Sequence, residues 1–209
     1  LSRNRTDTVV NITYLYSVVA YCPSYHYADA LKIIKFNTYK HILKGEIYMT
    51  KETRKAYSCD TFLAQGKATK SGRMIFAKNS DRYMGEAANV VYFPSKDYES
   101  GSRLKISQHE IEQVEHTNAL LGLQPHYIWG LEIGVNEYGV SIGNEAEHSF
   151  IPPDTDGILG MDLVRLGLER GKTAEEALNV ITALIDRYSE GGVCSPDGPG
   201  ADYNNTFII

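Results

Sequence analysis

Cys59-Asp60-Thr61-Phe62-Leu63-Ala64, followed after a turn by Ala77-Lys78-Asn79-Ser80-Asp81-Arg82, is the stretch on which the reading of this chain turns. Its first six residues mix apolar and polar types, as a half-buried strand does. Gly72 marks a hairpin turn, and Met74-Ile75-Phe76-Ala77 reads as the returning strand. The hairpin carries a thiol at the head of one strand towards a Lys/Asn/Asp/Arg cluster at the end of the next. A thiol becomes nucleophilic when a neighbouring cation or base favours the thiolate, and Lys78 or Arg82 could supply the cation. Taken alone, a cysteine is most often a small buried hydrophobe, and Lys-Asn-Ser-Asp-Arg is most often a polar turn closing a strand.

Further along, Trp129-Gly130-Leu131-Glu132-Ile133-Gly134-Val135, the turn Asn136-Glu137-Tyr138-Gly139 and Val140-Ser141-Ile142-Gly143-Asn144-Glu145-Ala146 form a second expected hairpin, with strands over 128–135 and 140–146. Residues 103–123 read as one or two strands interrupted over 109–116, and the stretch between the first hairpin and Arg103 reads as loop. Gly160-Met161-Asp162-Leu163-Val164-Arg165 opens a helix expected over 159–170 and closed by Gly171. A second helix begins at Thr173, where Glu176 three residues on completes a capping box. Its apolar Ala177, Leu178, Ile181, Leu184, Ile185 and Tyr188 predict a face laid on a sheet. Residues 191–201 read as a Gly/Pro-rich loop, and Thr206–Ile209 as a last strand.

Cys-Asp-Thr, Ala-Thr-Lys-Ser-Gly-Arg, Lys-Asn-Ser-Asp-Arg, the long 129–146 segment and Gly160–Arg170 together resemble the secernin/dipeptidase family (peptidase family C69) of the N-terminal-nucleophile (Ntn) hydrolases. Tyr203-Asn204-Asn205-Thr206-Phe207 resembles that family's aromatic-His-Asn-Ser-Phe segment, with Asn204 and Thr206 departing from it. The resemblance runs from Cys59 to Ile209. It implies an α+β fold, a four-layer αββα sandwich of mainly antiparallel sheets, here cut short at the C-terminus. It also implies a cysteine-type amide or dipeptide hydrolase with no cofactor and no metal, acting on a small peptide or amide.

In that family the nucleophile is the first residue of the mature protein and its own α-amine is the base. A free α-amine titrates at about 7.7–8.0, near working pH, whereas a peptide nitrogen has no basicity to offer. Cys59 takes this part once Ser58–Cys59 is cleaved. The resemblance places Asp81 on the α-amine and Lys78 beside the thiolate, at a position that is Arg in the bile-salt hydrolase branch. The oxyanion donors it implies are the Asn144 backbone N–H and the Asn205 side-chain amide. Asn79 and Arg82 are expected to be structural. A secernin-like, non-catalytic factor of secretion and an inactive fragment are the other readings left open.

The chain has 209 residues, 43% hydrophobic and 22% charged, a composition suited to one globular domain with or without an extension. Residues 1–58 hold nine Lys/Arg against four Asp/Glu (+5), and the remainder twelve against twenty-two (−10). The acidic, motif-bearing part argues against a nucleic-acid partner. No run approaches the roughly 20 apolar residues of a membrane-spanning helix. Residues 1–48 carry seven of the 15 tyrosines and no motif of the family. They read as a leader or unrelated sequence, with Met49 as the start and 50–58 as a short propeptide. Cys22, Cys59 and Cys194 do not form a disulfide framework, which fits a reducing, cytoplasmic setting. His109-Glu110 lacks a second zinc-ligand histidine, His126 and His148 read as loop residues, and Trp129 as a core residue. A homo-oligomer is compatible with all of this.

Overall fold

Cys59 does head a strand. A computed structural model describes residues 59–81, 86–147, 150–194 and 203–209; the expectations for 1–58, Arg82 and His148 fall outside the described residues. In chain order the elements are β1 (Asp60–Ala64), a short 3-10 turn (Gly66–Ala68), β2 (Ile75–Asn79), β3 (Ala88–Phe93), β4 (Lys96–Asp97), β5 (Arg103–Lys105), β6 (Glu110–Glu112), β7 (His116–Thr117), β8 (Leu120–Pro125), β9 (Ile133–Asn136), β10 (Ser141–Glu147), α1 (Gly160–Arg170), α2 (Ala174–Tyr188) and β11 (Asn204–Ile208). The protein is mixed α+β, its strands pair mostly antiparallel, and its two helices follow the main run of strands. No helix among the described residues is long and apolar enough to cross a membrane.

Five strands form the principal sheet in the order β11-β10-β9-β8-β3, and β1 pairs with β2 as a separate hairpin. Strand alternation gives the sheet two different faces. Ile142 and Leu131 point towards α1, joining Leu163, Val164, Leu166 and Leu168 in the largest apolar cluster. Ile133 and Leu123 point the other way and pack with Phe76 of the hairpin. The helices, the sheet and the hairpin are therefore three successive layers.

Four differences from the sequence reading have physical causes. Residues 103–123 hold not one or two strands but short strands β5, β6 and β7 and most of β8, because the charged 109–116 stretch supplies two small ribbons, β5 with β6 and β4 with β7. Strand β3, expected as loop, pairs along its whole length with β8, from Ala88 opposite Pro125 to Phe93 opposite Leu120. Strand β9 starts only at Ile133, since 128–132 is drawn into bends whose carbonyls at Ile128 and Trp129 accept from Gln124 Nε2. Finally, α2 lies on α1 rather than on the sheet. Ala177 and Ile181 are its buried residues, while Leu178 is 48% exposed.

The helix ends follow local chemistry. Thr173 Oγ1 accepts from Glu176 N at 3.1 Å, and the Glu176 carboxylate reaches back to Lys172 N at 2.7 Å, one residue beyond the expected box. Gly171 closes α1 without entering the left-handed region (φ −100). Its lack of a side chain serves contact instead, because a Cβ there would lie 2.6 Å from Ala177 N. Two buried asparagines finish the same end of α1: Asn118 Nδ2 and Asn136 Nδ2 each donate to the carbonyls of Leu168 and Gly171. These are C-terminal carbonyls that the helix itself leaves without donors. Asn136 Oδ1 also accepts from Tyr138 N and Val140 N, shaping the β9–β10 turn at Gly139, whose φ is +84. Trp129 packs at the edge of the main cluster, its ring centroid 3.9 Å from the Arg165 guanidinium carbon, which also lies 3.8 Å from that of Phe93.

Candidate functional site

The face of the sheet that meets the hairpin is apolar at one end and charged at the other. Phe76 fills the apolar end. Two residues along β2, on the same face, Lys78 is 2% exposed, and Ser80 follows at 3%. A buried ammonium needs partners, and here there are three. Lys78 Nζ lies 3.4 Å from Glu132 Oε2 and 3.5 Å from Glu145 Oε1, and donates to the Asn144 carbonyl. Thr61, opposite Lys78 in the hairpin register, donates its hydroxyl to Glu145.

Glu132 reaches this face through an irregularity. Its N–H donates to Leu123 O at 2.8 Å, yet Leu123 is also the register partner of Ile133. Two consecutive residues thus oppose one, as in a β-bulge, and Glu132 turns to the same side as Ile133. Glu145 needs no such device, because it lies two residues beyond Gly143, which faces Phe76 and Thr61.

Cys59 heads β1 on the same face, half-buried, with its Sγ 3.7 Å from Ser80 Oγ. Burial pushes its thiol pKa up. The Glu132 carboxylate adds to the rise, Lys78 opposes it, Glu145 adds again, and the Ser80 hydroxyl opposes. Burial by itself would lower the pKa of Lys78, but Glu132, the Cys59 thiol and Glu145 more than compensate and raise it. Burial also lifts Glu145 to about 7, against the pull of Lys78. The ammonium expected to favour the thiolate is therefore divided between two acids, and the net effect on the thiol is upward.

The structure brings Cys59 and Lys78 together and deals differently with the other expected residues. Asp81 follows Ser80 at the end of the hairpin and is half-buried. Asn144 enters the site through its backbone. Its carbonyl accepts from Lys78, and its N–H donates to Glu132 O across the sheet at 3.4 Å. The side chains of Asn144 and Asn205 lie on the opposite, helix-facing side, where Asn144 Nδ2 donates to Asn205 Oδ1 at 2.8 Å. Asn205 rests there against Gly160 at the start of α1 and near the Glu190 carboxyl, whose burial-raised pKa its amides partly offset. Strand alternation accounts for where the Asn205 amide, the expected second oxyanion donor, lies. Asn205 shares its face with Phe207, which packs in the helix-side cluster, whereas Ile208 packs on the hairpin side.

Glu132 and Glu145 are the site residues that the sequence reading passed over. A glutamate between Leu131 and Ile133 in an apolar strand was the available signal, since such a charge is either paired or misplaced. Cys194 lies elsewhere, buried with Ile128, Leu159 and Met161, and no disulfide joins it to Cys59. Among the described residues no group of three or more His, Cys, Asp and Glu is placed to hold a metal ion. No family model matches the chain.

Proposed function

We propose that this protein is a cysteine-type amide hydrolase of the Ntn class, acting on dipeptides or similarly small peptides within a four-layer αββα architecture. The observation that carries the reading is the Cys59 thiol at the head of β1, half-buried beside Ser80 and on the face where Lys78, Glu132 and Glu145 meet. After cleavage of Ser58–Cys59, the new α-amine takes the thiol proton as Sγ attacks the substrate carbonyl carbon. The resulting ammonium protonates the leaving amine as the C–N bond breaks, leaving a thioester. Water then attacks the thioester, the acid departs, and the thiol regains its proton.

Of the two expected oxyanion donors, the Asn144 N–H occupies a long 3.4 Å bond to Glu132 O, one readily exchanged for a stronger acceptor. Asn205 acts on this reaction indirectly, by holding the Asn144 side chain. Asp81 remains the proposed partner of the α-amine.

The test is intact-mass analysis and N-terminal sequencing of the purified protein, joined to dipeptide hydrolysis by the wild type and Cys59→Ala. A mature chain beginning at Cys59, with hydrolysis lost in the variant, is the expected result. An uncleaved chain with no Cys59-dependent hydrolysis overturns the reading. One observation favours a second, non-catalytic reading such as a secernin-like factor of secretion: burial and the Glu132 and Glu145 carboxylates push the thiol pKa up, the reverse of the shift that activates a nucleophile.

A further inference from the structure

We propose that Glu145 is a positioning residue for Cys59: by sharing the Lys78 ammonium with Glu132, it decides through its own ionisation how readily the thiol releases its proton. The inference rests on the reading of Cys59 as the reactive group and names the residue that regulates it. The geometry is one ammonium between two carboxylates, at 3.4 Å and 3.5 Å, with the thiol on the same face, its Sγ 3.7 Å from Ser80 Oγ. With Lys78 charged and Glu132 ionised, the cluster is neutral only while both Glu145 and Cys59 keep their protons. Either can ionise at the cost of one uncompensated buried negative charge, and the second ionisation is harder than the first. Glu145 and the thiol are therefore competitors for one cation.

Among the described residues, few groups face Glu145. The hairpin presents Lys78, the Cys59 thiol and the Asp60 carboxylate, together with the Thr61 hydroxyl bonded to it. The bulge at the start of β9 presents Glu132, and β11 sets the uncharged Thr206 opposite it. Of the charged groups only Lys78 favours the ionised carboxylate, which also accepts from the Thr61 hydroxyl, and burial lifts Glu145 to about 7. Below that pH Glu145 is neutral and the thiol competes with Glu132 alone; above it the thiol meets two carboxylates.

The experiment is peptide-resolved alkylation of Cys59 by iodoacetamide in the full chain, with rate measured against pH. Sulfur displaces iodide from the reagent carbon and the thiol proton passes to buffer, so the rate follows the thiolate fraction. The wild type is expected to show a rising profile with a shoulder near pH 7, where Glu145 ionises. Glu145→Gln is expected to lose the shoulder and to react about 10-fold faster at pH 8, the effect of a shift of about one pH unit from a neighbouring charge. A wild-type profile without a shoulder overturns the proposal, as does a folded Glu145→Gln that reacts at pH 8 no faster than wild type. Should the variant not fold, the wild-type shoulder alone decides. Alkylation requires neither cleavage before Cys59 nor turnover of a peptide, so the outcome is separable from the fate of the hydrolase reading.

Discussion

Lys78 Nζ sits 3.4 Å from Glu132 Oε2 with both side chains almost wholly removed from solvent, at 1% and 2% exposure. An ion pair in that setting contributes little net stability when intact, because desolvation offsets the attraction, but removing one member strands the other. Lys78→Met should therefore destabilise the chain by about 3–5 kcal/mol, read from urea unfolding midpoints. The triple variant Lys78→Met, Glu132→Gln, Glu145→Gln should recover most of that loss. A single substitution costing less than about 1 kcal/mol would show that the acids are not held in the interior.

Asp162 gives a pH dependence with a definite sign. Its carboxyl, 1% exposed, accepts from Ser107 N at 3.0 Å and Ser107 Oγ at 2.7 Å, yet burial lifts its pKa from 3.8 to about 6. A carboxyl raised in the folded state binds more protons folded than unfolded. Its contribution is complete below 3.8 and is lost as pH rises through about 6. Asp162→Asn should gain stability relative to wild type between pH 4 and pH 7, by on the order of 2–3 kcal/mol. Denaturation curves at four or five pH values would reveal it, and a difference that stays constant with pH would refute it.

Gly160 is the seat of Asn205. A Cβ at that glycine would lie 2.1 Å from Asn205 Cγ, so Gly160→Ala must shift Asn205 and with it the bond from Asn144 Nδ2. The expected cost is about 1–3 kcal/mol. Under the proposed function, kcat should fall as well, while Leu178→Ala, on the exposed side of α2, should leave kcat unchanged.

Asn136 joins a turn to a helix end. Asn136→Ala removes two donors from the Leu168 and Gly171 carbonyls and the acceptor for Tyr138 N and Val140 N. Asn118 still serves both carbonyls, so the loss should be about 2–4 kcal/mol rather than more. Hydrogen exchange should quicken at Tyr138 and Val140 before it quickens in α2.

Where local pattern and tertiary structure agreed, the sequence was readable. The strand at the head of the first hairpin, the turn at Gly72, the Thr173 cap and the Gly139 turn all reappear where local chemistry put them. The resemblance that led to Cys59 and Lys78 named two residues that do share one face. Strand β3 was hidden because Val90 and Tyr92 are each 66% exposed, so Asn89-Val90-Val91-Tyr92 shows no apolar/polar alternation to read. Glu132 was hidden by the bulge, since strict alternation sets it and Ile133 on opposite faces. Asn205 carried its expected role by position in a motif, and a motif does not state which side of a sheet a residue occupies. The placement of α2 on α1 was equally illegible, because an amphipathic stripe specifies that something covers it but not what.

The thread from Thr61 to Glu145 spans 84 residues. On a ribosome the first hairpin can close as soon as it emerges, for β1 and β2 are neighbours in sequence, but its lysine must then wait in water until β9 and β10 have been made. The charged cluster beside the thiol is thus among the late events of folding, set only when distant carboxylates arrive, and a nascent chain carries Cys59 unguarded until then.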